Sequence, residues 1–236
     1  MNRRCNLFIL LLFLSPCAAA QQKWFELTGG FGFTTASTSN STVSYDSRIL
    51  PTGGLTVHIP IVGRLALRSG ILYQQKGLRG GGSVADSLEV HSDLSSRETY
   101  HYLNIPLQLD VAFAGHKNGV WRIAGGMSYG ILVDAVKSIR FRTYDGGSLV
   151  GEYEKEFKQS IGIESSQNYP GLPGQEGTAL YVFTPAIRLD LTWQYKKQFV
   201  LGLHYEQHLQ DIRMRVHNNA RQKLHSVGIM AGVIIR

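Results

Sequence analysis

The chain has 236 residues, of which 43% are hydrophobic and 17% are charged, and a formal net charge of +7. The basic residues are dispersed, and no basic stripe with interleaved aromatic residues occurs, so the sequence argues against nucleic-acid binding. Both cysteines, Cys5 and Cys17, lie in the first twenty residues. If that segment is removed, thiol catalysis and cysteine metal sites are excluded.

Residues 1–20 have the order of a secretory signal peptide. Arg3 and Arg4 supply a positive start, Leu7 to Leu14 is an eight-residue apolar run, and three alanines end the segment. The apolar run is far shorter than the roughly 20 residues of a membrane-spanning helix. We therefore expect cleavage between Ala20 and Gln21.

Cleavage there would leave residues 21–236 as one mature domain, and the loss of two arginines would lower the formal charge from +7 to +5. Lipid modification at Cys17 is the alternative. It fits the sequence badly because Pro16 would stand at the cleavage position.

The mature sequence alternates between apolar residues and small or polar residues, which is typical of β-strands. In the fourth segment, for example, Leu103, Ile105 and Leu107 share one face and oppose Asn104 and Gln108. No apolar stretch reaches the length of a spanning helix, whereas a strand of a membrane barrel needs only about 9–11 residues. The predicted strands lie near 24–34, 50–60, 64–75, 100–113, 120–134, 178–194, 199–210 and 223–235.

The connections between these strands alternate in length. Three short and four longer connections are what an eight-stranded antiparallel barrel with both ends on one side requires. The sequence therefore predicts an all-β protein, an eight-stranded transmembrane β-barrel of the outer-membrane type with long extracellular loops. The short turns lie near 61–63, 114–119 and 195–198, and the long loops near 35–49, 76–99, 135–177 and 211–222. The third long loop could hold its own hairpin around Asp145-Gly146-Gly147.

A soluble barrel is the competing interpretation, and the composition of the two strand faces decides against it. The less apolar faces carry small residues such as Ala124, Gly126 and Ser128, which suit a crowded barrel interior. The apolar faces must then point outward, where only lipid tolerates them. Aromatic residues flank both sets of connections, as at the two interfaces of a bilayer. We expect the protein in the outer membrane, in contact with its lipid.

Two segments resemble the PorT-like outer-membrane barrel family of Bacteroidota. Residues 100–109, Tyr-His-Tyr-Leu-Asn-Ile-Pro-Leu-Gln-Leu, are similar to a recurring strand of that family. Residues 70–77, Gly-Ile-Leu-Tyr-Gln-Gln-Lys-Gly, are similar to the end of its preceding strand. The resemblance implies an eight-stranded outer-membrane barrel, sometimes associated with type IX secretion or gliding, and it implies no catalytic residues.

Proline removes a donor from a β-ladder, so Pro106 in the fourth strand predicts a bulge there. Charged residues also recur at interior positions of the strands. In a small barrel such groups most often pair across a filled lumen, and an ion path is the alternative. The predicted lumen charge network consists of Arg64, Arg68, Asp110, Arg122, Asp134, Arg188 and Asp190. Glu26 and Glu206 also fall at alternating positions that face the interior, which we call interior parity.

His204, Glu206 and His208 alternate on the interior face of the seventh strand. Neighbours on one face lie about 6.8 Å apart, so adjacent members could share a metal ion. An interior polar network is the favoured interpretation, because the further ligands and supporting hydrogen bonds of a metal site are missing from the pattern. They stay weak metal candidates, and no cofactor is expected.

We found no nucleophile, base and orienting acid in a spacing typical of catalysis. The sequence therefore favours a non-enzymatic barrel, structural or partner-binding through its surface loops, with an envelope or secretion-system protein as partner. An outer-membrane enzyme acting on lipid or peptide, or a narrow channel, are the alternatives.

Overall fold

The structure is a computed structural model, which describes residues 23–38, 44–85, 90–159, 161, 180–212 and 222–236. The predicted signal peptide, parts of the predicted loops at 35–49 and 135–177, and most of the one at 211–222 lie outside these residues. No helix in the described part is long and apolar enough to cross a membrane.

Nine antiparallel strands make up the described part of the chain. Their bounds are β1 Trp24–Thr38, β2 Ser44–Val62, β3 Leu65–Ala85, β4 Val90–His116, β5 Gly119–Asp145, β6 Ser148–Lys158, β7 Phe183–Tyr195, β8 Phe199–His208 and β9 Gln222–Ile235.

Eight of these strands close into a barrel, and the prediction of an eight-stranded antiparallel barrel is confirmed. Going round the wall, the order is β4-β3-β2-β1-β9-β8-β7-β5, and β4 pairs with β5 to complete the ring. The first and last strands meet, with Phe25 opposite Ile235. Closure leaves the membrane wall without an unpaired edge, as a lipid environment requires.

The ninth strand, β6, belongs to a sheet that extends past the barrel wall. β5 pairs with β7 only up to Ile131, and from Val136 onward it pairs with β6 instead. A turn at Gly146 and Gly147, both in the left-handed region, joins β5 to β6. This is the hairpin expected within the third long loop.

The segment 76–99 is different from the irregular loop that we expected. Except at residues 86–89, which the structure does not describe, it continues β3 and β4, with Lys76 opposite Tyr100 and Ala85 opposite His91. Its polar and glycine-rich composition suggested a loop, but antiparallel pairing with β5 on the far side keeps it in strand form. β3, β4, β5 and β6 thus form one sheet at the long-loop end, which we call the extracellular sheet.

Side chains alternate between a buried lumen and an exposed apolar outer face. On β4, Leu107 and Leu109 are 49% and 55% exposed, whereas Gln108 and Asp110 are each 1% exposed. The rings of Trp121 and Trp193 lie side by side on the outside near the short turns, their centroids 6.4 Å apart. An apolar exterior around a polar interior is the arrangement of a membrane barrel.

The bulge expected at Pro106 does not occur there. Pro106 stands in unbroken register opposite Ser128 of β5, and on its other side the β3 ladder lacks the pairs opposite Gly70 and Ile71. The irregularities of β4 against β5 lie instead at His101/Tyr102 and at Ala112/Ala114. The missing proline donor is therefore accommodated by a local gap in one ladder.

Candidate functional site

Charged side chains fill the lumen in a layer that begins near the short turns. The ring of His58 lies between two carboxylates, with Nδ1 2.8 Å from Asp110 and Nε2 2.9 Å from Glu26. Arg122 donates from Nε to both carboxylate oxygens of Asp110 at 3.0 Å. The indole of Trp24 stacks on the His58 ring, with centroids 4.8 Å apart. Four strands meet in this cluster.

Two buried arginines continue the layer across the lumen. Arg68 joins Glu26 at 3.2 Å to Asp190 at 3.3 Å. Arg188 binds Asp190 at 3.1 Å and Glu206 at 3.4 Å. Each guanidinium therefore bridges two carboxylates, and every one of these side chains is almost fully buried.

Lys76 forms the end of the network nearer the long loops. Its ammonium group contacts Glu206, lies 2.5 Å from Nε2 of His208 and sits 5.2 Å from the centre of the Tyr102 ring. A second cluster follows, in which Tyr100 donates to Glu98 and Lys137 lies 3.3 Å from the same carboxylate.

The buried charges of these clusters balance. The five acids are Glu26, Glu98, Asp110, Asp190 and Glu206, and the five cations that contact them are Arg68, Lys76, Arg122, Lys137 and Arg188. Seven of the eight barrel strands, all but β9, contribute to the network, including His58 and His208. Paired and hydrogen-bonded charges are tolerated in such an interior, and they hold the strands in one register.

An apolar cluster closes the lumen beyond Lys76. Its side chains are at most 3% exposed and pack together at the long-loop end of the barrel. The cluster consists of Leu78, Tyr100, Tyr102, Leu132, Ala135, Leu180, Ile212 and Leu224. The lumen therefore contains a charged layer and, above it, an apolar plug.

Of the seven residues predicted as the lumen charge network, the structure brings five together. These are Arg68, Asp110, Arg122, Arg188 and Asp190. Arg64 is placed differently, because it lies in the turn between β2 and β3 and is exposed. The strand begins one residue later than predicted, at Leu65.

Asp134 is also outside the network, and a bulge is the reason. The pairing with β4 shifts register at Tyr102, so that Val133 is left without a partner. Leu132 and Ala135 both point into the lumen, and Asp134 moves to the outer side, where its carboxylate accepts a hydrogen bond from its own neighbour's backbone N–H at 2.9 Å. The prediction assumed that alternate residues of β5 face the lumen without interruption, and one extra residue moves Asp134 to the opposite face.

His204, Glu206 and His208 all point into the lumen, and they differ in their partners. Glu206 is saturated by Lys76 and Arg188, and His208 contacts the same lysine. Neither ring nitrogen of His204 has a hydrogen-bond partner within the described residues. The described part contains no group of three or more metal-ligating side chains that could hold a metal ion.

Four network members were missed by the sequence reasoning: Lys76, His58, Glu98 and Lys137. Lys76 and Glu98 fall in the segment read as a loop. The signal was present, because Gln74, Lys76 and Leu78 continue the interior parity of β3. Extending the two-residue alternation past the glycine-rich stretch would have found them.

The extracellular sheet presents a different kind of surface. β6 is an edge strand, paired only with β5 among the described residues. Three glutamates, Glu152, Glu154 and Glu156, alternate along one face of β6. On that face Arg140 and Arg142 bind the first two, at 2.5 Å to Glu154 and 3.0 Å to Glu152. On this face the arginines of β5 lie inside and the glutamates of β6 lie outermost, at the edge of the sheet.

Two groups in these exposed ion pairs, Glu154 and Arg142, have a shifted pKa. The hydrogen bond from Arg140 holds the pKa of Glu154 below its ordinary value. The hydrogen bond to Glu152 raises the pKa of Arg142. Both groups therefore stay charged across the neutral range.

The direction of the β6 amides follows from one bond. Gln159 donates from its backbone N–H to the carbonyl of Ala135 at 2.8 Å. Because antiparallel ladders alternate every two residues, the amides of residues 153, 155 and 157 point toward β5. Those of Glu152, Glu154 and Glu156 then point to the open edge, together with their carbonyls.

The sequence was compared with families of known proteins. The family described as "Outer membrane protein beta-barrel domain" matches residues 19–214, which is most of the chain. No match was found among proteins of curated function.

Three similar solved structures are remote from this chain in sequence. Ail, the attachment invasion locus protein of Yersinia pestis, is 8% identical with a TM-score of 0.34, covering 91% of this chain and 100% of its own. Neisserial surface protein A is 9% identical with a TM-score of 0.36, covering 89% and 96%. The outer membrane protease OmpT from Escherichia coli is 5% identical with a TM-score of 0.31, covering 90% and 95%. Similarity this low supports no conclusion about the activity of this chain.

Proposed function

The chain belongs to the outer membrane protein beta-barrel domain family, and on that premise we propose that it is a non-enzymatic barrel that binds an extended protein segment along β6. The protein lies in the outer membrane, with its apolar wall in the lipid. The observation that carries the proposal is the edge of β6, which pairs only with β5 among the described residues and extends beyond the barrel wall beside β3, β4 and β5.

An edge strand with free amides and carbonyls is a template for pairing with another chain. Addition of a strand to β6 would use the backbone groups of Glu152, Glu154 and Glu156. Cross-strand neighbours of opposite charge stabilise such a pair. The partner segment should therefore carry lysine or arginine at alternate positions, facing the glutamate row.

The other face of β6 adds an apolar contribution. Tyr153 is 55% exposed and stands opposite Phe141, which is 38% exposed. The ammonium group of Lys155 lies 5.1 Å from the centre of the Phe157 ring. A partner strand with apolar residues between its basic ones would match both faces.

The lumen supports a structural role for the barrel itself. Its acids and cations are paired with one another, and no described histidine is hydrogen-bonded to a serine or threonine hydroxyl. A hydrolase that uses a serine or threonine nucleophile needs that nucleophile and a base in contact. This favours the non-enzymatic alternative.

We also propose that the chain is a PorT-like protein of Bacteroidota and that its partner takes part in type IX secretion or gliding. The two segments that resemble that family pair directly, because residues 70–77 lie in β3 and 100–109 in β4. Gly77 has a clear packing role, since a Cβ there would lie 2.7 Å from Leu50 Cδ1. We likewise propose that residues 1–20 are a signal peptide.

The test uses a peptide with alternating lysine and valine, titrated against the whole protein in detergent micelles. Glu156→Pro removes an edge donor without touching the bonds to β5, and proline is tolerated at such an edge position. Glu156→Thr is the matched control, because it removes the same charge and keeps the amide.

Binding that is lost in Glu156→Pro and largely retained in Glu156→Thr supports strand addition. Equal affinity of all three proteins, or no binding at all, overturns the proposal. Retention of heat-modifiable gel migration shows that each variant still forms the barrel.

A further inference from the structure

The barrel has an open mouth at its short-turn end, which faces the periplasm in an outer-membrane barrel. A cavity of about 420 Å³ opens there, between the first residues of β1 and the turns that follow β2 and β7. Four cations line it: Arg64, Arg122, Lys197 and Arg236. None of the described residues that line it is acidic.

Three of these cations take no part in the ion pairs that balance the charges inside the lumen. The fourth, Arg122, already pairs with Asp110 in the lumen, where acids and cations match in number. Arg64, Lys197 and Arg236 are exposed, and none of them forms an ion pair within the described part of the chain. The mouth therefore concentrates cationic side chains that no acidic side chain of the described structure pairs with.

Arg122 is held in place at the floor of this cavity. Both of its hydrogen bonds to Asp110 come from Nε, and its guanidinium lies 5.2 Å from the centre of the Trp24 ring. Its two terminal nitrogens have no acceptor among the described residues. A guanidinium fixed on one side, with free donors on the other, is a geometry suited to oxyanions.

Lys197 occupies an unfavourable backbone position beside the cavity. It has φ +57 and Lys196 has φ +45, in a turn closed by a hydrogen bond from Gln198 N–H to the Tyr195 carbonyl at 3.0 Å. Two-residue turns of this kind strongly favour asparagine and glycine. Of the two lysines in this turn, only Lys197 lines the cavity.

We propose that this mouth is a binding site for a phosphate group, held by Arg64, Arg122, Lys197 and Arg236. Several cations around one cavity favour an anion with more than one charge and several acceptor oxygens, which is the chemistry of phosphate. The phosphate reaches the mouth either on a soluble periplasmic molecule or on the headgroup of an anionic lipid. The site is independent of β6, which lies at the other end of the barrel.

The experiment compares two double variants of the full chain. Arg64→Gln with Lys197→Gln removes two cavity-lining cations. Lys117→Gln with Lys196→Gln removes two cations from neighbouring turns that do not line the cavity. All four side chains are exposed, so both variants should form the barrel, which heat-modifiable migration verifies.

The first arm titrates glycerol 3-phosphate by calorimetry in a neutral detergent at low salt. The second measures, by native mass spectrometry, retention of phosphatidylglycerol from nanodiscs of otherwise neutral phosphatidylcholine. We expect binding in one arm, weakened at least tenfold by the cavity variant and less than twofold by the control.

The two arms separate the sources of the phosphate. Binding of glycerol 3-phosphate with this pattern indicates a soluble ligand, and the same pattern with phosphatidylglycerol alone indicates a lipid headgroup. Absence of binding in both arms overturns the proposal. Equal weakening by the two variants also overturns it, because it would mean that only the general positive charge of the rim attracts the anion.

Discussion

Asp110 receives the Nε–H of Arg122 between its two carboxylate oxygens, each at 3.0 Å, at the boundary between the charged layer and the mouth of the barrel. The two partners are not equally buried, since the side chain of Arg122 is 12% exposed and that of Asp110 is 2% exposed. Removing one is therefore expected to differ from removing the other.

We predict that Asp110→Ala destabilises the barrel by about 3 kcal/mol, the scale for breaking a buried ion pair. It removes the carboxylate that contacts Nδ1 of His58 and accepts from Nε of Arg122. Arg122→Ala should cost only about 1–2 kcal/mol, because Asp110 keeps its contact with His58 at 2.8 Å and water can reach the vacated position. Urea unfolding in micelles, followed by tryptophan fluorescence, measures both. A larger loss for Arg122→Ala would contradict this order.

The wall of the barrel at β9 should be sensitive to a single methyl group. A Cβ on Gly228 would lie 2.2 Å from Cε1 of His204 and 2.6 Å from the Phe31 carbonyl oxygen. Gly228→Ala is therefore expected to destabilise the barrel by about 1–3 kcal/mol through overpacking. Gly29→Ala is the matched control, because a Cβ there meets nothing within 4 Å and should change stability by less than about 0.5 kcal/mol. Equal unfolding midpoints for the two variants would refute the close contact.

The ion pairs of the extracellular sheet predict a pH effect with a definite sign. Because Arg140 lowers the pKa of Glu154 from its ordinary value of 4.5, their interaction is complete above that value. It is lost as the pH falls through the lowered pKa, since protonation removes the charge. Carbon-13 NMR of the carboxyl group in micelles measures the titration. Arg140→Gln should raise the pKa of Glu154, and an unchanged midpoint would show that another group causes the shift.

The filled lumen predicts that the protein does not conduct ions. The paired charges and the apolar cluster around Tyr100 and Leu224 place buried side chains along the axis of the described barrel. Planar-bilayer recording of the unmodified protein should show no steady, ion-selective current. Such a current would favour the alternative of a narrow channel.

Two-residue alternation was enough to predict the wall of the barrel. Lipid outside and packed polar groups inside impose opposite demands on successive residues, so Leu107 and Gln108 are distinguishable from the sequence alone. The extracellular sheet lacked this contrast because both of its faces can meet water. Its strands therefore resembled loops in the sequence. Lys76 was missed because it is the first residue of the segment 76–99 that was assigned to a loop.

The errors within the predicted network have local causes. Parity counting assumes an unbroken register, and the bulge at Val133 moved Asp134 to the other face. It also assumes that a residue near a turn belongs to the strand, which failed for Arg64. The partners of each charge could not be read from the sequence, because contacts such as Lys76 with Glu206 cross the lumen between strands that do not pair.

The pairing of Phe25 with Ile235 has a consequence for how the chain reaches its native state. The ladder between β1 and β9 joins the two ends of the described chain, so its formation carries the largest loop-closure entropy of any pair of strands. Until β9 arrives, the growing sheet exposes an unpaired side of β1 and of β8. Folding should therefore be slow, as for other proteins dominated by contacts distant in sequence, and its last step should be the joining of these strands.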